Sequence, residues 1–335
     1  MRFAAVASEP VAAEAAHQVL GEAGTAADAL IAGFLVAAAA RSSVLFSPVQ
    51  ALLAGPGVGA RAFDGRLRQP GLGLPRPRGT VSGQRIPAAA RVAVPASLGL
   101  LALLHAHDGK TAFQRLAAPA VAHAEEIGAA LRGALLGRIG RRGASALREA
   151  VTARPLLAVA GRSEGGLLSE RDLAEVRPES SAPRDIEMGD RRALLVPWPA
   201  PLATHRMVEF IAAADVHGVL GVLAYSPDDE GIAIPELELT LAGDASVVKR
   251  GIPRVAPGEP IACPAPIALA LSDQKPLMAL GVRASMALSI DDLSAVWSKT
   301  VVAAKLLRAA RDAAHGEQAL AVLRSETQQV RKFSA

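Results

Sequence analysis

At 335 residues, 51% hydrophobic and 20% charged, the chain is long enough to bury one large core or two modest ones without covalent staples. Its one cysteine, Cys263, excludes an intrachain disulfide framework and a cysteine-rich zinc site. The formal charge of +4 comes from scattered arginines with one tyrosine among them, which is not the concentrated basic and aromatic face of a nucleic-acid binder.

The opening residues carry Glu9 and Glu14 inside an apolar run, against a signal-type core, and the apolar stretch 26–40 behind Asp28 is too short to span a bilayer. The expectation is a cytoplasmic protein without membrane contact. Residues 8–40 read as two alanine-rich helices separated by a turn at Gly21–Gly24, with Asp28 capping the second. Residues 44–90, rich in Gly and Pro, read as strands joined by long loops or as a partly mobile segment, and GLGLPRPRG at 71–79 is too irregular to cradle a phosphate.

From Val92 a short extended segment breaks at Pro95 and continues as an apolar helix, followed by a helical pair bent or interrupted at Pro119. His105, His107 and His123 lack metal-ligand spacing and a third ligand, so neither a metal nor another cofactor is expected. A helix over 125–150, a strand-like LLAVAG and a helix capped by Ser169 come next. The last third reads as a strand ALLVPW, a helix near 204–214, strands GVLGVLAYSP and GIAIPELELTLA, a hairpin over PIALALSDQKPLMALGV, and a closing helix from about 291 to 325. Blocks of strand and helix in this order predict an α/β protein with sheet covered by helices.

SEPVAAEAAHQVLGEAGTAADALIAG at 8–33, RVAVPASLGLLALLHAHDGKTAFQRLAAPAVAHAEE at 91–126, GGLLSERDL at 165–173 and PGEPIACPAPIALALSDQKPLMALGV at 257–282 resemble, in order, signature segments of the γ-glutamyltransferase family. The resemblance implies a single domain over 1–335 with the four-layer αββα fold of N-terminal-nucleophile hydrolases. Residues 1–200 resemble a shortened large-subunit part, and 215–335 the small-subunit part. In that family an internal threonine frees its own amine by cleaving the chain, and the amine then serves as base for its hydroxyl.

The family's nucleophile pattern, Thr-Thr-His-x-x-x-x-Asp-x-x-Gly-x-Ala, is placed on GVLAYSPDDEGIA at 221–233, where Asp228, Gly231 and Ala233 fit its downstream positions. Gly221, Val222 and Leu223 then stand where the two threonines and the histidine would be. A competing placement at LATHR aligns Ala203, Thr204 and His205, again with alanine at the nucleophile; the simpler role for Thr204 is a helix cap. Ala262 and Cys263 replace the serine pair that contacts the substrate carboxylate, and GVRAS at 281–285 places Val282 and Arg283 where the oxyanion glycines are expected. One recognition feature survives the resemblance: Arg66 of FDGR matches the arginine that binds the substrate α-carboxylate, a geometry suited to a guanidinium fork.

The resemblance therefore implies a noncatalytic, unprocessed protein that binds a small carboxylate or amino-acid-like ligand, or that acts as an assembly component with a protein partner or a second copy. The alternative is an amide hydrolase or transferase repurposed for specialised metabolism, built on Thr204, His205 or Cys263.

Overall fold

The computed structural model describes residues 2–75, 79–81, 83–188, 191–199, 203–251, 253–272, 275–288, 303–325 and 329–335. Its chain opens with strand β1 (Ala4–Ala7) and helices α1 (Pro10–Gly21) and α2 (Ala26–Ala40). Every residue of α2 from Ala26 to Ala39 is buried, as a helix that is apolar at every position but Asp28 requires. Asp28 is the capping residue the sequence calls for: it exchanges hydrogen bonds with Thr25 in a capping box and also accepts from the Lys110 and Thr111 amides.

A hairpin, β2 (Val49–Gly55) and β3 (Gly59–Gly65), then leads to α3 (Ser97–Asp108), α4 (Phe113–Glu126), α5 (Ala130–Arg142), α6 (Ala150–Ala160) and α7 (Glu170–Glu175). Three expectations fail in this stretch. Pro119 lies inside an uninterrupted α4; the helix expected over 125–150 is the end of α4, the separate α5 and a 3-10 turn at Gly143–Arg148; and LLAVAG belongs to α6 rather than to a strand.

The remaining strands are β4 (Glu179–Ser181), β5 (Arg184–Met188), β6 (Arg191–Leu195), β7 (Ala203–Ala214), β8 (Leu220–Tyr225), β9 (Ile232–Ile234), β10 (Leu239–Leu241), β11 (Ile267–Ser272) and β12 (Lys275–Met286). After helix α8 (Ala303–Ala313) come β13 (Gln318–Arg324) and β14 (Val330–Ser334). The helix expected near 204–214 is β7, which also removes the helix-cap role from Thr204. The long closing helix is the short α8 followed by an antiparallel hairpin; its portion 291–302 lies outside the described residues. The β11–β12 hairpin forms as expected, with Ile267 opposite Gly281 and Ser272 opposite Lys275.

Among the described residues twelve of these strands form one curled antiparallel sheet in the order β4-β3-β2-β8-β7-β12-β11-β6-β5, with β1 on β7 and β13–β14 on β12, while β9 and β10 form a separate pair. Alternate side chains of the central strands enter different cores. Ile211, Ala213 and Leu223 pack with the helices α1 to α7, whereas Phe210, Ala212, Ala214 and Val222 pack against Ile267, Leu269 and Val322 of the other limb of the sheet. Ala268, Ala270 and Leu280 join Leu307, Ala310 and Ala314 of α8 and its end. Gly281 permits the contact between β12 and Phe210, because a Cβ there would stand 2.1 Å from the ring. No helix among the described residues is long and apolar enough to cross a membrane.

Asp108, at the end of α3, is half-buried and its Oδ2 finds no hydrogen-bond partner among the described residues. Burial first, then the nearby Asp215 and Asp28 carboxylates, push its pKa up to about 6, with Lys110 and His107 opposing. Because this value is raised above that of the unfolded chain, the native state holds the proton more tightly, and stability falls as pH rises from about 4 to 6. Asp108→Asn is therefore expected to gain ~1–2 kcal/mol in urea unfolding at pH 7.5, after allowing for partial exposure, and to gain almost nothing at pH 3.5. A variant equally stabilised at both pH values would show that ionisation of Asp108 is not the cause.

Candidate functional site

The C-terminal end of α2 and the first half of β7 meet at a charged crevice of about 420 Å³, lined by Arg41, Arg206, Glu209, Asp228, Asp229 and Arg283 with neighbouring loop residues. Arg41 follows α2 directly, where a cation complements the helix's carbonyl end. Its Nη1 donates to Glu209 Oε1 at 2.5 Å and more weakly to Glu9 at 3.4 Å, and its Nη2 donates to Asp229 Oδ2 at 2.7 Å. Glu209 sits on β7 opposite Tyr225 of β8, only 2% exposed.

Across the crevice Arg206 grips Asp244 bidentately, at 2.7 and 2.6 Å, and lies 2.9 Å from Asp228 Oδ2, which also accepts from the Gly243 amide. Arg283 reaches Glu317 and stands 3.9 Å from Glu209.

The electrostatics hold these groups in fixed states. The hydrogen bond from Ser43, aided by Arg41 and opposed by burial, keeps Asp229 below the usual carboxylate range. Burial works against the Arg41 charge, but Glu209 and Asp229 outweigh it and raise its pKa. Burial and the Glu209 carboxylate push the Tyr225 phenol well above its ordinary value. Arg41, Asp229 and Tyr225 therefore do not exchange protons near neutral pH, as a general base must. The crevice is built from ions already paired with one another.

Few residues singled out from the sequence converge there. Asp228 and Arg283 do. Gly221, Val222 and Leu223 instead run through the middle of β8, where Gly221 packs so tightly that a Cβ would stand 2.8 Å from Leu30 Cδ1 and 2.9 Å from Leu53 Cδ1. Val282 is fully buried in the core against α8, and Ala262 is exposed. Thr204 and His205 lie on β7; their side chains fall outside the described part of the structure.

Arg66 points inward. Its Nε and Nη2 bind both oxygens of Asp64 at 2.9 and 2.8 Å, and its guanidinium stacks 5.2 Å over the Trp198 ring. Arg68, 1% exposed, takes the same carboxylate from the other side at 3.2 Å. The fork expected to receive a ligand carboxylate is thus occupied by one from two residues earlier in the chain. Cys263 is buried: Gln50 Nε2 donates to its carbonyl at 3.1 Å, and burial, then the Asp244 charge, push the thiol up to about 12. At that value the thiolate, the reactive form, is negligible near neutral pH.

Sequence reasoning missed Arg41, Glu209, Asp229 and Asp244 as site residues. The available signals were a cation directly after an apolar helix and a lone carboxylate within the apolar run RMVEFIAAA. The Asp-x-x-Gly spacing also recurs at Asp215 and Gly218, in the connection between β7 and β8. There Asp215 accepts from the His217 and Val219 amides, at 2.8 and 3.0 Å, and from Ala26 at the start of α2. Gly218 has φ +99°, a value that favours glycine.

No protein-family model matches the chain, and no curated protein matches it in sequence. Solved structures do match it. A cephalosporin acylase from Bacillus halodurans superposes with a TM-score of 0.74 at 14% identity, covering 99% of this chain and 95% of that one. A variant of LmbA2991 gives 0.73 at 15%, covering 99% and 96%. A γ-glutamyltranspeptidase from Pseudomonas nitroreducens gives 0.50 at 18%, covering 59% and 71%. The chain shares the fold of these structures at low sequence identity, in keeping with the resemblance read from the sequence.

Proposed function

We propose that this chain is a noncatalytic, unprocessed protein on the γ-glutamyltransferase-type four-layer αββα fold, and that it binds a small carboxylate without turning it over. The three buried clusters, with helices outside each limb of the sheet, support the layer order.

The observation that carries the functional reading is that three registers of the family's nucleophile pattern all lack a nucleophile. The 221–233 register puts Gly221 there, inside a strand, and the LATHR register puts Ala203. Laid on the β7–β8 connection through Asp215 and Gly218, the pattern puts Val208, Glu209 and Phe210 at the threonine, threonine and histidine positions. Val208 has no hydroxyl or thiol and pairs with Ala284 within the sheet.

A repurposed hydrolase using Cys263 gains no support from a buried thiol whose pKa is pushed up to about 12. An assembly role remains a variant of the binding reading, tested by light scattering at graded concentrations.

The decisive experiment is intact-mass analysis of the purified chain with an assay for amine release from a γ-glutamyl anilide and from simple amides. The expected result is one 34.3 kDa species with no turnover above background, and the same for Cys263→Ala. Two fragments accompanied by turnover would overturn the proposal.

A further inference from the structure

We infer that the cleft between the start of α5 and the β9–β10 pair binds a small, singly charged organic carboxylate, with Arg132 as its anchor. This deepens, and rests on, the reading of the chain as a binding protein.

The cleft measures about 600 Å³ and shares Arg41 and Asp229 with the charged crevice. Arg132 lines it and is only 8% exposed, yet its side chain makes no hydrogen bond or ion pair among the described residues, and its Nε is fully buried without an acceptor. Arginine is rarely buried unless paired, because its charge loses water without gaining a partner. Glu238 is close enough to act on it electrostatically, but Glu238 Oε2 accepts from the Leu131 and Arg132 backbone amides, at 3.1 and 3.2 Å. The other cation of the cleft, Arg41, is already committed to Glu209 and Asp229.

The rest of the lining narrows the ligand. Ser42 Oγ and Thr240 Oγ1 stand 3.0 Å apart, so one hydroxyl hydrogen serves their mutual bond and the other is left for a guest. Ile127, Ile234, Pro235 and Leu239 supply apolar walls. Asp229 and Glu238 line the same space, so a dianion such as phosphate would meet two negative charges where a single carboxylate meets fewer penalties. The fitting guest has one carboxylate, to take the Arg132 fork, and a short apolar body.

The test is calorimetric titration and thermal shift on the full chain with sodium butyrate, with acetate and hexanoate bracketing chain length and with inorganic phosphate and sodium chloride as comparisons. Butyrate is expected to bind and raise Tm, and Arg132→Met to weaken binding ~10–100-fold, the scale of a lost hydrogen bond to a charged group. Without ligand, Arg132→Met should be no less stable than the parent, because it removes a charge whose burial outweighs its attraction to Glu238.

Should Arg132→Met not fold, Arg132→Lys and Thr240→Val carry the test: each should fold and bind butyrate more weakly. Equal binding by parent and variants, no binding of any carboxylate in the series, or tighter binding of phosphate than of butyrate would overturn the inference. Turnover with an Arg132-dependent butyrate shift would end the noncatalytic reading alone, whereas an intact, inactive chain that ignores carboxylates would end the cleft assignment alone.

Discussion

Asp64→Ala is expected to cost the fold ~3–5 kcal/mol, the cost of breaking a buried ion pair by removing one partner. Asp64 is 2% exposed on β3 and serves two guanidinium groups, Arg66 through a bidentate pair and Arg68 through one bond. Arg68 Nη2 already lacks an acceptor among the described residues, so truncation would leave two buried like charges close together with nothing between them. Against a typical total stability of about 5–15 kcal/mol, that is a large fraction, and a fall in Tm of roughly 4–7 °C should accompany it.

The pH dependence gives this prediction a signature. Burial alone would raise the Asp64 pKa, but the Arg66 hydrogen bonds and the Arg68 charge hold it below the ordinary value of 3.8. A depressed carboxyl stabilises the fold fully above its unfolded pKa and loses that contribution as pH falls through the folded value. The stability gap between parent and Asp64→Ala should therefore hold from pH 8 to about 5 and narrow only in stronger acid. Adding Arg66→Met to Asp64→Ala should recover part of the loss, because it removes one of the orphaned charges. A single variant within about 1 kcal/mol of the parent in urea unfolding would mean that water or another group satisfies both arginines.

How much of this was legible beforehand depended on whether the determining interaction was local. The Thr25–Asp28 and Ser169–Asp172 capping boxes span three residues each, and the β11–β12 hairpin joins two adjacent apolar runs, so their sequences carried them. β7 did not announce itself, because Ile211 and Ala213 face one core while Phe210, Ala212 and Ala214 face another. A strand buried on both faces has no polar alternation to read, and its alanines suggested a helix. LLAVAG failed in the opposite sense, since a short apolar run does not distinguish a strand from a helix.

The site was hidden by distance along the chain. Arg41 meets a carboxylate 168 residues away, and Arg206 one 38 residues away. Arg66 was legible as a residue with a job but not as one whose job is internal, because FDGR contains its partner, Asp64, two positions earlier. The resemblance to γ-glutamyltransferases anticipated the fold, whose solved counterparts superpose over 99% of this chain.

Placing a threonine at Gly221 tests the 221–233 register of the proposed noncatalytic reading against the packing of its strand. Gly221 pairs with Leu53 and Ala213 in the sheet, and the space beyond its Cα is filled by Leu30 and Leu53, both 0% exposed. A Cβ at 2.8 and 2.9 Å from their methyl carbons is closer than carbon atoms tolerate, and threonine adds two further atoms beyond it. Gly221→Thr is expected to lose ~2–3 kcal/mol by overpacking, with Gly221→Ala losing roughly half as much. The new hydroxyl would face leucine side chains, with no base within hydrogen-bond reach to take its proton, so the variant should remain a single chain by intact mass and show no amide turnover. Self-cleavage of Gly221→Thr ahead of residue 221 would reverse that conclusion and make the 221–233 register the ancestral site. A merely destabilised, uncut and inactive variant would place Gly221 in the core as a packing residue, held there by Leu30 and Leu53.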